Sequence, residues 1–180
     1  APWCMKRSRA VQVEAVSPEF LLRRAALAKT SGLRAKYARS GLAHPGPVDR
    51  TTQAMLLRQL YLSHMEGRRF AEALEVALQM VELGAMTDVA RQDAARAQLG
   101  LGNREAAVQQ LRLASRISPP SRRAFHLWTL GSLLYLAGDH AGSIGALTRA
   151  ARWGTTDRPL YEAQLALARL AAGEPVDDLR

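Results

Sequence analysis

The sequence predicts an all-α fold, a solenoid of short antiparallel helix pairs. Three observations predict it. Runs rich in Ala, Leu, Arg, Glu and Gln dominate, and the Val/Ile/Thr alternation of strands is absent. Glycines punctuate these runs, as in "LGSLLYLAGDHAGSIGALTRA" (130–150), where Gly138-Asp139 separates two apolar stripes. The punctuation is periodic: units starting at Ala54, Asp88, Ala124 and Pro159 lie 34, 36 and 35 residues apart. A glycine inside a helix costs about 1 kcal/mol relative to Ala, so Gly138 reads as a turn between two helices. A fixed period in the thirties means one supersecondary unit, stacked on copies of itself.

Residues 1–16 read as a basic, disordered tail containing Lys6-Arg7-Ser8-Arg9. Residues 17–43 read as a helical hairpin, either a degenerate repeat or a cap. Ser17 is an N-cap before Pro18, Leu21, Ala25 and Ala28 form one stripe, and Gly32 marks the expected turn. Ala35, Ala38 and Leu42 form the second stripe. "HPGP" (44–47) then separates the hairpin from the body. The first unit has Leu60-Tyr61, a turn at Gly67-Arg68, then Phe70, Ala73 and Ala77. The second has Ala94-Ala95, Gly102, Ala107, Leu111 and Ala114, and ends at Pro119, which stops a helix. The third has Leu130-Gly131, Gly138, Ser143, Leu147 and Ala150. Pro159 opens a last, unpaired helix that runs to Gly173 and shields the final apolar face; 174–180 is a tail. Small residues (Ala73, Ala95, Ala107, Ala114, Gly131, Ser143, Ala150) allow close helix crossings, and large ones (Leu57, Leu60, Leu127, Leu130, Leu147) fill the space to the next hairpin.

With 180 residues and 48% hydrophobic composition, the chain supports one core or one stack. Its net charge of +9 is uneven: residues 1–50 hold 10 Lys and Arg against 3 Asp and Glu, whereas the rest is nearly neutral. Arg far outnumbers Lys, which fits a GC-rich, bacterial genome. The longest mostly apolar run, 127–137, is too short to span a bilayer. No apolar stretch follows the basic N-terminus, so a cytoplasmic location is expected; Met5 is a candidate start, and one cysteine, Cys4, forms no internal disulfide. His44, His64, His126 and His140 stand in no metal-ligand spacing, "GLGN" (100–103) lacks the Lys-Ser/Thr of a phosphate loop, and no nucleophile elbow is present. No enzyme, metal or cofactor is expected.

The large apolar residue, Leu-Gly or Leu-Ala, the turn glycine, the small residues after it and the period together resemble the tetratricopeptide repeat (TPR) family. The resemblance covers 54–157 as three repeats and 159–173 as a capping helix. It departs at Arg91 and Gln98, where apolar residues are usual. It implies a right-handed superhelix whose first helices line a concave, peptide-binding groove. Carried over position by position, the resemblance puts Arg58, Gln59 and Leu62 in that groove from the first repeat, and Gln92 and Arg96 from the second. Phe125, Trp128 and Thr129 come from the third, and Gln164 from the last helix. The carboxylate clamp of one TPR subclass is missing: Met55, Gln59, Val89, Asp93, Phe125 and Thr129 occupy its positions. The expected function is a non-catalytic adaptor or scaffold that takes an apolar or amphipathic peptide segment. Two other readings fit: a secretion-type chaperone for an apolar client, and nucleic-acid binding through the basic N-terminal third.

Overall fold

The computed structural model describes residues 16–174. Among them are nine helices and no strand: α1 (Pro18–Ala26), α2 (Ser31–Leu42), α3 (Arg50–Glu66), α4 (Phe70–Leu83), α5 (Thr87–Gly100), α6 (Arg104–Ile117), α7 (Pro120–Leu136), α8 (His140–Trp153) and α9 (Arg158–Ala171). Each packs on its sequence neighbours. Contacts two helices apart join α1 to α3, α3 to α5 and α7 to α9, and thus run between odd-numbered helices. The odd helices therefore form the inner layer of the stack, and the even helices form its outer layer. This is the all-α helical-repeat solenoid that the 34-to-36-residue period predicts.

The turns explain the period. After α5 and α7 the chain reverses through Gly102 and Gly138, and Gly173 follows α9; all three have φ near +80°, a left-handed conformation that costs other residues about 1–2 kcal/mol. Asp139 then caps α8 by accepting from Gly142 N at 2.8 Å. In the first repeat the equivalent position is not Gly67 but Arg68, at φ 55°. Pro119 and Pro120 end one hairpin and open α7. In the N-terminal hairpin the turn lies at 27–30, before Gly32. Thr30 accepts from Leu33 N at 3.2 Å and so caps α2, which places Gly32 inside the helix's first turn. A capping hydroxyl, not a glycine, sets this turn. The predicted tail falls outside the described residues over 1–15.

The small residues lie where helices cross. Ala73, Ala107, Ala114, Ser143 and Ala150 are fully buried. Gly131 sits against Leu147, and Ser143 Oγ donates to the Gly131 carbonyl at 2.8 Å. Leu57, Tyr61, Val76 and Met80 fill the first repeat, and Leu111, Leu130, Leu133 and Leu134 fill the join of the second and third. The polar departures in the second repeat each find a polar partner within it. Arg91 donates to Gln110 at 3.0 Å, and Gln98 accepts from Asn103 at 2.9 Å. The buried face of α5 is otherwise Ala90, Ala94, Ala95 and Ala97 with Asp88, Gln92 and Asp93. So thin a helix leaves room on its inner side.

Candidate functional site

That room is a concavity of about 370 Å³ between α3, α5 and α7. Arg58 reaches it from α3. Val89, Gln92, Asp93 and Arg96 come from α5, with Met86 just before it, and Arg122, Phe125 and His126 come from α7. Met86 holds a left-handed backbone at φ 54°, the only such non-glycine residue besides Arg68 among those described.

Two buried carboxylates organise the wall. Asp88 takes a two-pronged bond from Arg122, Nε to Oδ2 at 2.7 Å and Nη2 to Oδ1 at 2.9 Å, and faces His126 Nε2 at 3.0 Å. Burial opposes ionisation of Asp88, but the Arg122 fork and the His126 contact outweigh it and hold its carboxyl down at about 2. Burial pushes the pKa of His126 below its usual value, against the pull of Asp88. The ring is therefore neutral at pH 7, with its proton on Nε2, which donates to the carboxylate. Asp93, 1% exposed, accepts from Arg58 Nε at 3.0 Å. Burial raises its pKa despite the guanidinium beside it. Both pairs link positions one repeat apart, Asp88 with Arg122 and Arg58 with Asp93. Arg96 is exposed and has no ion-pair partner among the described residues.

Apolar side chains also stand exposed on α7 and α9. Phe125 is 42% exposed, and Leu160 and Leu167 on α9 are more than half exposed. Trp128 is half-buried between Phe125 and Tyr161, at ring distances of 5.7 and 6.0 Å. Its indole N–H donates to Gln164 Oε1, Gln164 Nε2 donates to Ser132 Oγ at 2.9 Å, and Ser132 Oγ donates to the Trp128 carbonyl at 2.9 Å. The ring thus has its polar edge satisfied internally.

Of the residues singled out from sequence, Arg58, Gln92, Arg96 and Phe125 meet in the concavity. Trp128 and Gln164 pair with each other one repeat further on. Gln59, Leu62 and Thr129 are half-buried on α3 and α7, and Thr129 Oγ1 is spent on the Phe125 carbonyl at 2.9 Å. Sequence reasoning missed the Asp88–Arg122–His126 cluster. Its signal was a carboxylate and a guanidinium separated by one repeat length, the spacing that Arg58 and Asp93 share.

No sequence profile of a known family matches the chain, and no curated protein matches it in sequence. Solved structures do match its fold. The crystal structure of MamA aligns with a TM-score of 0.65 at 18% identity, over 87% of this chain and 82% of MamA. The apo form of RapI aligns with a TM-score of 0.72 at 15% identity, over 89% of this chain and 64% of RapI. Both contain TPR repeats, and the fold of this chain is of the TPR type. No helix among the described residues is long and apolar enough to cross a membrane.

Proposed function

We propose that the protein is a non-catalytic TPR interaction module, an adaptor or scaffold. Its inner face takes a segment of a partner protein. The observation that carries this reading is the polarity of that face. Arg96, without an ion pair, and the paired Arg58 and Arg122 stand beside an exposed Phe125, whose ring meets that of Trp128. An exposed aromatic ring backed by a fixed second ring is a surface that gains free energy on being covered. The matching ligand is amphipathic, with apolar side chains over Phe125 and at least one acidic residue towards Arg96. The folds that MamA and RapI share with this chain support the general class, a helical-repeat binding module.

The test is partner capture from a bacterial lysate, read by mass spectrometry, with wild type and Phe125→Ala side by side. Phe125 is exposed enough for the variant to keep its melting temperature. Loss of the captured proteins with Phe125→Ala supports the reading. Undiminished capture places the binding surface elsewhere, and the basic α1–α2 hairpin is then the next surface to test.

A further inference from the structure

The N-terminal end of the stack carries a second surface. α1 and α2 pack on each other and on α3, so their hairpin closes that end of the described solenoid. Residues 18–42 hold six Lys and Arg against one acidic residue, Glu19. Of the six, Arg34 pairs with Glu66; the other five are exposed and have no ion pair among the described residues. Apolar side chains stand among them. On α1, Phe20, Arg23, Arg24 and Leu27 follow at i, i+3, i+4 and i+7 and so share one face, opposite the buried Pro18 and Ala25. Phe20 is 51% exposed and Leu27 81%, more than any other large apolar residue described. Lys29 and Leu33 stand exposed around the turn that follows. Arg24 Nη2 donates to Tyr37 Oη at 2.8 Å, with its guanidinium carbon 5.1 Å from the centre of that ring, which ties the charged face of α1 to α2.

The two kinds of side chain together select the partner. A single exposed leucine is ordinary on a protein surface. Uncompensated cations attract any polyanion. A nucleic acid would neutralise them, but its phosphates give the protruding Leu27 nothing apolar to enter. An anionic bilayer takes both: its headgroup phosphates meet the guanidinium and ammonium groups, and the acyl boundary below them takes the apolar tips. The spacing suits such a surface. Arg23 and Arg24 lie within one turn of both Phe20 and Leu27, and long cationic side chains reach up to the headgroups while their stems stay at the apolar level. We infer that the α1–α2 hairpin is a peripheral docking surface for an anionic lipid bilayer, with Phe20 and Leu27 entering the interface and Arg23, Arg24, Lys29 and Lys36 held on its headgroups. This surface lies outside the concavity between α3, α5 and α7 and does not rest on the peptide-binding reading.

The experiment is co-sedimentation of the full chain with vesicles of phosphatidylcholine alone and of phosphatidylcholine mixed with phosphatidylglycerol, in about 0.1 M salt. The mixed vesicles should carry the protein down and the neutral ones should leave it in solution. Lys29→Gln and Lys36→Gln should each weaken binding about 5-fold, the effect of one cation near an anionic surface. Leu27→Ser should also weaken it about 5-fold, because an apolar side chain no longer enters the interface. All three side chains are exposed, so the variants should keep the melting temperature of wild type. Equal binding to both kinds of vesicle, or none to the mixed ones, overturns the inference. Undiminished vesicle binding by Leu27→Ser overturns the lipid assignment, and salt-dependent binding of duplex DNA by wild type would then assign the hairpin to nucleic acid. A loss that follows Lys6, Arg7 and Arg9 changed to Gln, with the hairpin variants binding as wild type does, places the lipid contact on the N-terminal segment and overturns the inference too.

Discussion

Replacing Asp88 by Asn removes one charge and leaves the shape. In the native protein that carboxylate accepts three hydrogen bonds, two from Arg122 and one from His126. Its pKa falls from an ordinary 3.8 to about 2, which is worth about 2.5 kcal/mol of stability at neutral pH. The Arg122 side chain is 47% exposed, so water replaces part of its bond, and about 1–2 kcal/mol of this remains. The Asn carboxamide has one acceptor oxygen, so either His126 Nε2–H or the Arg122 fork loses its partner. A buried donor left unpaired adds about 1 kcal/mol or more. Asp88→Asn should therefore destabilise by about 2–3 kcal/mol at pH 7, read as a lower urea midpoint. The pH dependence identifies the cause. A carboxyl held below its unfolded pKa contributes fully above about pH 4 and loses its contribution as the pH falls through about 2. His126, whose folded pKa lies below 6.5, subtracts stability as the pH drops below 6.5, because the unfolded chain then binds the extra proton. Asp93 runs the other way, since its raised pKa favours the fold at low pH, but it is present in both proteins and largely cancels in their difference. The gap between wild type and variant should thus close towards pH 2–3. An equal midpoint at pH 7, or a gap that stays constant down to pH 2, would refute the electrostatic account of the cluster.

Other expectations follow from the packing and the turns. Gly131→Leu should destabilise by about 1–3 kcal/mol, since even a Cβ would sit 2.6 Å from the fully buried Leu147; Ala107→Leu should cost a similar amount, both by urea titration. Arg68→Gly should stabilise by about 0.5–1 kcal/mol, because it gives the first turn the residue its φ of 55° favours; a lower melting temperature would show that Arg68's contact with Phe70 matters more. Trp128→Ala should lower the melting temperature while Phe125→Ala does not, because Trp128 packs on Tyr161 and bonds Gln164 whereas Phe125 faces outward.

The repeat was legible because three signals agree at each turn: a stripe, a glycine and a small residue one turn beyond. Hence the helices of the body begin and end close to where Gly102, Gly138, Pro119 and Pro159 place them. The N-terminal turn was misplaced because Gly32 looks like punctuation, whereas Thr30 supplies the cap. Arg58, Arg96 and Phe125 followed from counting along the repeat. Asp88 and His126 did not, because the buried ion cluster leaves no local pattern: Asp88 on α5 meets Arg122 and His126 on α7 only across the stack. The half-burial of Trp128 was likewise hidden, being set by Tyr161 and Gln164 on the next helix.

The most direct test of the central claim is an amide NMR map of the protein with an amphipathic peptide. Signals that move on α3, α5, α7 and α9 while those of α4, α6 and α8 stay in place are the result expected for a ligand seated on the inner face. Movement concentrated on the outer helices, or on the basic α1–α2 hairpin, would contradict it.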